Sequence, residues 1–82
     1  MKATVTVELK PAVLDPQGKA IQHSLEALGF GDVEDVRVGK VFRITIKDDG
    51  STREQLEEQL EAMSEKLLAN PIVENYEVDV ES

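Results

Sequence analysis

The chain reads as an α+β domain, an antiparallel sheet with two helices on one face, in the order strand, helix, strand or strand pair, helix, strand. Three observations predict it. Two amphipathic stretches open on explicit helix-start signals, the stretches at either end of the chain alternate polar and apolar residues, and a central stretch keeps a single apolar parity.

At the first strand, Ala3, Val5, Val7 and Leu9 alternate with Thr4, Thr6, Glu8 and Lys10, the period of a strand with one buried face. Pro11 stops it. Asp15 then stands as an N-cap before Pro16, whose missing N–H costs nothing at the first helical position. The helix is expected to run to about Leu28. Ala20, Ile21, Leu25 and Leu28 share one stripe, Gly29 supplies the left-handed terminator, and Phe30 packs just beyond.

From Val33 to Lys47 the residues Val36, Val38, Lys40, Phe42, Ile44 and Ile46 all share one parity. A two-residue hairpin loop at Gly39-Lys40 would put Val36 and Phe42 on opposite faces, so the pattern argues against it. A three-residue loop preserves the parity, as does one continuous strand of roughly 15 residues, longer than the usual 3–10 and needing two sheets to cover it. Lys40 falls on the apolar face, so either its side chain snorkels to water or the strand turns there.

Asp48-Asp49-Gly50 signals a turn, and Ser51 with Glu54 has the spacing of a capping box at the start of the second helix. Its expected apolar stripe is Leu56, Leu60, Met63 and Leu67, with Glu57, Glu58, Glu61 and Glu65 outside and the helix lasting to about Ala69. Asn70-Pro71 ends it. A last strand from about Val73 to Val80 turns Tyr76, Val78 and Val80 inward. The order corresponds to the ferredoxin-like βα(ββ)αβ arrangement.

With 82 residues, one domain spanning 1–82 is expected, and a core this small points to a homo-oligomer, since there is no cysteine and one histidine to provide a staple. Seventeen acidic against nine basic side chains give a net charge of −8, which repels nucleic acid. Missing cysteines and the lack of a signal-like or membrane-spanning run fit the cytoplasm.

No catalytic, cofactor-binding or metal residues are read from the chain. A thiolate nucleophile is impossible without cysteine, Gly29-Phe30-Gly31 lacks a third glycine, and Gly39-Lys40 is not followed by Ser or Thr. His23 stands alone and reads as solvated or at an interface, and the second helix's glutamates read as a solvated face. Val38-Gly39-Lys40-Val41-Phe42-Arg43 is faintly similar to the acylphosphatase phosphate loop but lies in the wrong place, away from the first strand-helix junction. Arg37, Lys40, Arg43 and Lys47 form a local basic cluster, either salt-bridged or suited to an acidic partner.

Several segments in order, Val5-Thr-Val-Glu-Leu-Lys, Val13-Leu-Asp-Pro-Gln-Gly-Lys-Ala, Leu28-Gly-Phe, Val36-Arg-Val-Gly-Lys and Leu67-Leu-Ala-Asn-Pro-Ile-Val-Glu-Asn-Tyr, make the whole chain resemble the PurS family. One departure is Ser64, where members often carry cysteine. The resemblance implies a small, non-catalytic subunit of phosphoribosylformylglycinamidine synthase in purine biosynthesis. It implies no cofactor on this chain, with ATP and Mg²⁺ used by the complex. Implied partners are a glutaminase subunit, a large synthetase subunit and a further copy of the chain, as homodimer or tetramer, with ammonia passing between the larger subunits. It also implies exchange of segments between two copies, which would give the long central strand its two sheets. Candidate interface residues are Asp15, Pro16, Gln17, Gly18, Arg37, Gly39, Lys40, Asn70 and Pro71. Apart from the resemblance, an ACT-like ligand-binding regulatory module shares the same element order.

Overall fold

The computed structural model describes residues 1–81. Strands β1 (Lys2–Leu9), β2 (Gly39–Thr45) and β3 (Glu74–Glu81) form one antiparallel sheet in the order β2-β1-β3. Helices α1 (Pro16–Ala27) and α2 (Arg53–Met63) fill the two connections, and α2 runs on into a π turn over Ser64–Leu68. The strand-helix-strand-helix-strand order is the one read from the pattern.

Alternation in β1 does what its period dictates. Ala3, Val5 and Val7 are buried, and the register sets Val5 between Phe42 on β2 and Val78 on β3. α2 covers these residues with Leu60, and Ala69 and Val80 complete the core. Phe42, Ile44 and Ile46 pack only at its margin and stay half exposed.

Two expectations are corrected. The capping box of α2 sits one residue later, on Thr52 and Gln55, because Asp49 already engages both the backbone N–H and the hydroxyl of Ser51. The buried row is Leu56 and Leu60 on α2 followed by Ser64 and Ala69, not Leu56, Leu60, Met63 and Leu67: its four-residue spacing up to Ser64 leaves Met63 at the margin, and the π turn then brings Ala69 rather than Leu67 inward. As the single parity argued, Gly39-Lys40 forms no hairpin; β2 begins at Gly39, and residues 33–38 before it, expected to be extended with it, form no ladder among the described residues. Lys40 snorkels, as one of the two alternatives required, its side chain 59% exposed.

The helices fare differently. α1 has the expected cap, with Asp15 accepting from the Gly18 N–H, and the expected terminator in Gly29 at φ 101°. Yet α1 makes at most fringe contact with any other element, so α2 alone covers the sheet within one chain. Leu28 and Phe30 are 72% and 58% exposed, and Ile21 is exposed as well. The chain is drawn out to 52 × 25 × 15 Å with a radius of gyration of 16.4 Å, against about 12 Å for a compact chain of this length.

Candidate functional site

The three segments singled out in the sequence converge at one end of the sheet. Pro11 ends β1 and turns the chain toward α1; the Lys10 N–H donates to the Val73 carbonyl at 2.9 Å, carrying the β1–β3 ladder one step past the strand. The Lys10 carbonyl in turn accepts from Arg37 Nη2 at 3.0 Å and from the Val13 N–H at 2.9 Å. Lys10 thereby joins residues 10–13, 37 and 73.

Asp15 is the second joint. One carboxylate oxygen takes the Gly18 N–H and caps α1, and the other takes the Val38 N–H, both at 2.8 Å. The two N–H donors, Val38 foremost, and the nearby Arg37 charge hold its carboxyl below the usual 3.8 against the opposing effect of burial. Asp15 is therefore more than the helix cap its position before Pro16 announces. Gly18 completes the joint: a Cβ there would overlap the Val36 carbonyl oxygen, so only glycine lets residues 36–38 cross the first turn of α1 so closely. Farther along α1, Gln22 Nε2 donates to the Glu34 carbonyl at 3.2 Å.

The third joint is Glu74. Its carboxylate accepts the Asn70 N–H at 2.7 Å and faces the Lys40 ammonium at 3.7 Å. Asn70 closes its own turn, its side chain accepting from the Ile72 N–H and its carbonyl from the N–H groups of Val73 and Glu74. Arg37 also lines, with Glu8, Leu9, Pro11 and Asp35, a depression of about 210 Å³.

Of the candidate residues, Asp15, Gly18, Arg37, Lys40 and Asn70 join this network, and Gly39 lies within it against the Val7 carbonyl. Pro16, Gln17 and Pro71 flank it as exposed residues. Lys10, Val73 and Glu74 also belong to it, without having stood out in the sequence. Lys10 and Val73 act through their backbones, which leave no mark on residue type. Glu74 carried no such mark either, because Lys40 snorkels to water and its place on an apolar parity does not call for a carboxylate. Among the described residues, no group of three or more His, Cys, Asp or Glu is placed to hold a metal ion, and no helix is long and apolar enough to cross a membrane.

The fold is thus a small α+β domain with one helix left bare and its loops tied together at one end of the sheet. Residues 2–82 match the family described as PurS, phosphoribosylformylglycinamidine (FGAM) synthase. The chain belongs to the PurS family, subunits of that synthase in purine biosynthesis. The PurS subunit of Methanocaldococcus jannaschii is 44% identical over 80 residues, spanning 98% of this chain and 94% of that protein. A C2 crystal form of PurS from Bacillus subtilis superposes with a TM-score of 0.85 at 43% identity, covering 99% and 98% of the two chains. A chain in the PurLQS structure from Thermotoga maritima gives a TM-score of 0.83 at 31% identity, covering 95% and 93%.

Proposed function

We propose that the chain acts as a segment-exchanged homodimer and, in that form, as the non-catalytic small subunit of the synthase. The dimer holds a glutaminase subunit and a large synthetase subunit in register so that ammonia passes between them. In this reading ATP and Mg²⁺ are used by the complex rather than by this chain, and the setting is the cytoplasm.

The observation that supports it is surface left uncovered. The chain exposes 6165 Å², whereas a compact monomer of 9.1 kDa exposes about 4,900 Å². The excess, roughly 1,300 Å² per chain, is larger than the ~800 Å² each partner contributes to a standard interface. It coincides with bare apolar groups: Ile21, Leu28 and Phe30 on α1 and beyond, and half-exposed Phe42, Ile44 and Ile46 on the sheet. α1 of one copy laid on the β2 side of the other would cover both sets. Residues 33–38, which have no ladder of their own, would then extend β2 into the neighbour's sheet. The PurLQS structure of the Thermotoga relative supports a role inside a larger complex.

Within the dimer, the sheet-end network of Asp15, Gly18, Arg37, Lys40 and Asn70, with Pro16, Gln17, Gly39 and Pro71, forms the docking surface for the larger subunits. Its benefit is positional: fixing two active sites relative to each other keeps the intermediate out of bulk water. Light scattering coupled to size exclusion tests this on the protein mixed with glutaminase and synthetase subunits, with and without glutamine, ATP and Mg²⁺. A complex whose glutamine-dependent activity requires this chain is expected. Arg37→Glu with Lys40→Glu should weaken assembly most at low salt, with the variant's own dimer constant measured alongside because Arg37 lies in the segment that extends β2. Unchanged affinity would remove the two basic residues from the docking surface.

A further inference from the structure

In the exchanged dimer the sheet grows on its β2 side, and the edge that stays open is β3. β3 is an outer strand in the order β2-β1-β3 and pairs with β1 in unbroken register from Glu74 to Glu81, with no proline. Every second N–H and C=O of such a strand points away from its neighbour. Beyond Glu74, among the described residues, no main-chain group of β3 has a hydrogen bond outside the ladder with β1.

The side chains of this edge decide which partner can use it. Asn75, Glu77, Asp79 and Glu81 alternate onto the open face of the sheet, away from α2, and all four are exposed. Lys2 stands opposite Glu81 in the register, but Glu77 and Asp79 stand opposite Thr6 and Thr4. Arg43 lies on the far side of Thr4, two strand spacings or about 10 Å from Asp79. Neither Glu77 nor Asp79 has an ion-pair partner among the described residues. A shallow trough of about 350 Å³ runs beside the two carboxylates, lined also by Thr4, Thr6 and Val78.

A second copy does not fit this edge. Residues directly opposite in an antiparallel ladder share a face, so two β3 strands paired about a two-fold axis would set Glu77 against Asp79. Like charges so placed destabilise the ladder. A one-residue slip would instead put Glu77 opposite Val78 and Asp79 opposite Tyr76. Resting on the small-subunit reading, we infer that the β3 edge receives an extended segment of a larger subunit of the synthase, one that carries Lys or Arg at alternate positions. Its main chain pairs with β3 and its cations lie over Glu77 and Asp79. The eight residues of β3 offer about 26 Å of edge for it. The strand begins at Glu74, inside the sheet-end network, so the added segment continues the docking surface proposed there.

Glu77→Lys with Asp79→Lys, both at exposed positions, should leave the circular-dichroism spectrum and the homodimer constant unchanged. The same double variant should raise the dissociation constant for the glutaminase and synthetase subunits by roughly 10- to 100-fold at low salt, and by less as salt rises. Hydrogen exchange on the wild-type protein reads the main chain. The alternate β3 amides that exchange quickly in the free protein should slow by about 10-fold or more in the complex. Wild-type affinity in the double variant, or a complex in which no β3 amide gains protection, would overturn strand addition at this edge while leaving the small-subunit role standing. A wild-type protein that joins neither larger subunit in the presence of glutamine, ATP and Mg²⁺ would overturn that role, and this site with it.

Discussion

The two helices have nearly the same length and the same kind of sequence, yet one is built into the molecule and the other is not. α1 and α2 span 12 and 11 residues, and each opens on a side-chain cap and carries an apolar stripe along a polar body. α2 buries Leu56 and Leu60 against the sheet, whereas α1 ends on an exposed Leu28 and is tied to the rest of the described chain through its first turns and the residues 33–38 beside them. Amphipathic periodicity states that a face must be covered. It does not state which chain covers it.

Paired truncations on the two helices sharpen this comparison and carry the largest expected effects. Leu60→Ala removes a fully buried side chain under the sheet and should cost about 2–5 kcal/mol at any protein concentration. Leu28→Ala removes a side chain that one chain leaves in water, where the cost would stay within about 0.5 kcal/mol. In the exchanged dimer it costs on the order of 1–2 kcal/mol and registers as weaker dimerisation in sedimentation equilibrium. A dissociation constant untouched by Leu28→Ala would mean that α1 stays uncovered in solution.

Gly18→Ala strikes the joint between α1 and residues 36–38 directly. The added methyl meets the Val36 carbonyl oxygen and sits 2.9 Å from the carbonyl carbon, so main chain rather than a flexible side chain must move. Overpacking of this kind costs about 1–3 kcal/mol. The loss should appear mainly as weakened dimerisation, because the sheet and α2 do not depend on Gly18. Equal destabilisation of the α2 core, read by hydrogen exchange at Leu60, would show that α1 and the sheet with α2 unfold as one.

The elements were legible in the sequence where local rules and tertiary packing agree. Val5 and Val7 alternate and are buried; Asp15-Pro16 announces a helix start and caps one. Legibility failed where two local solutions compete. Thr52/Gln55 and Ser51/Glu54 both satisfy the capping-box pattern, and the choice rests on Asp49 having taken Ser51. It failed again at Ser64, where a buried hydroxyl bonded to a carbonyl of the preceding turn accompanies a change of helical phase that periodicity assumes constant. The candidate site was half legible: turn-forming residues mark where segments meet, but the Lys10 and Val73 backbone groups that join them carry no residue signature.

The smallest effect comes from Asp15→Asn, and it isolates the tie between the two regions. Asparagine caps a helix as well as aspartate, so the Gly18 contact survives the change. The second oxygen becomes an amide nitrogen that faces the Val38 N–H, donor against donor, and only the tie to residues 36–38 is lost. Because the Asp15 carboxyl is lowered in the folded state, its contribution is complete above about pH 4 and disappears as pH falls through the lower folded value. The wild type should therefore melt a few degrees above Asp15→Asn at pH 7, and the gap should narrow as pH falls below 4, as thermal scans between pH 3 and 7 would show. A gap of equal size at pH 3 would mean that the carboxylate charge does not hold residues 36–38 to α1, and that the Gly18 crossing alone fixes how α1 leaves the sheet.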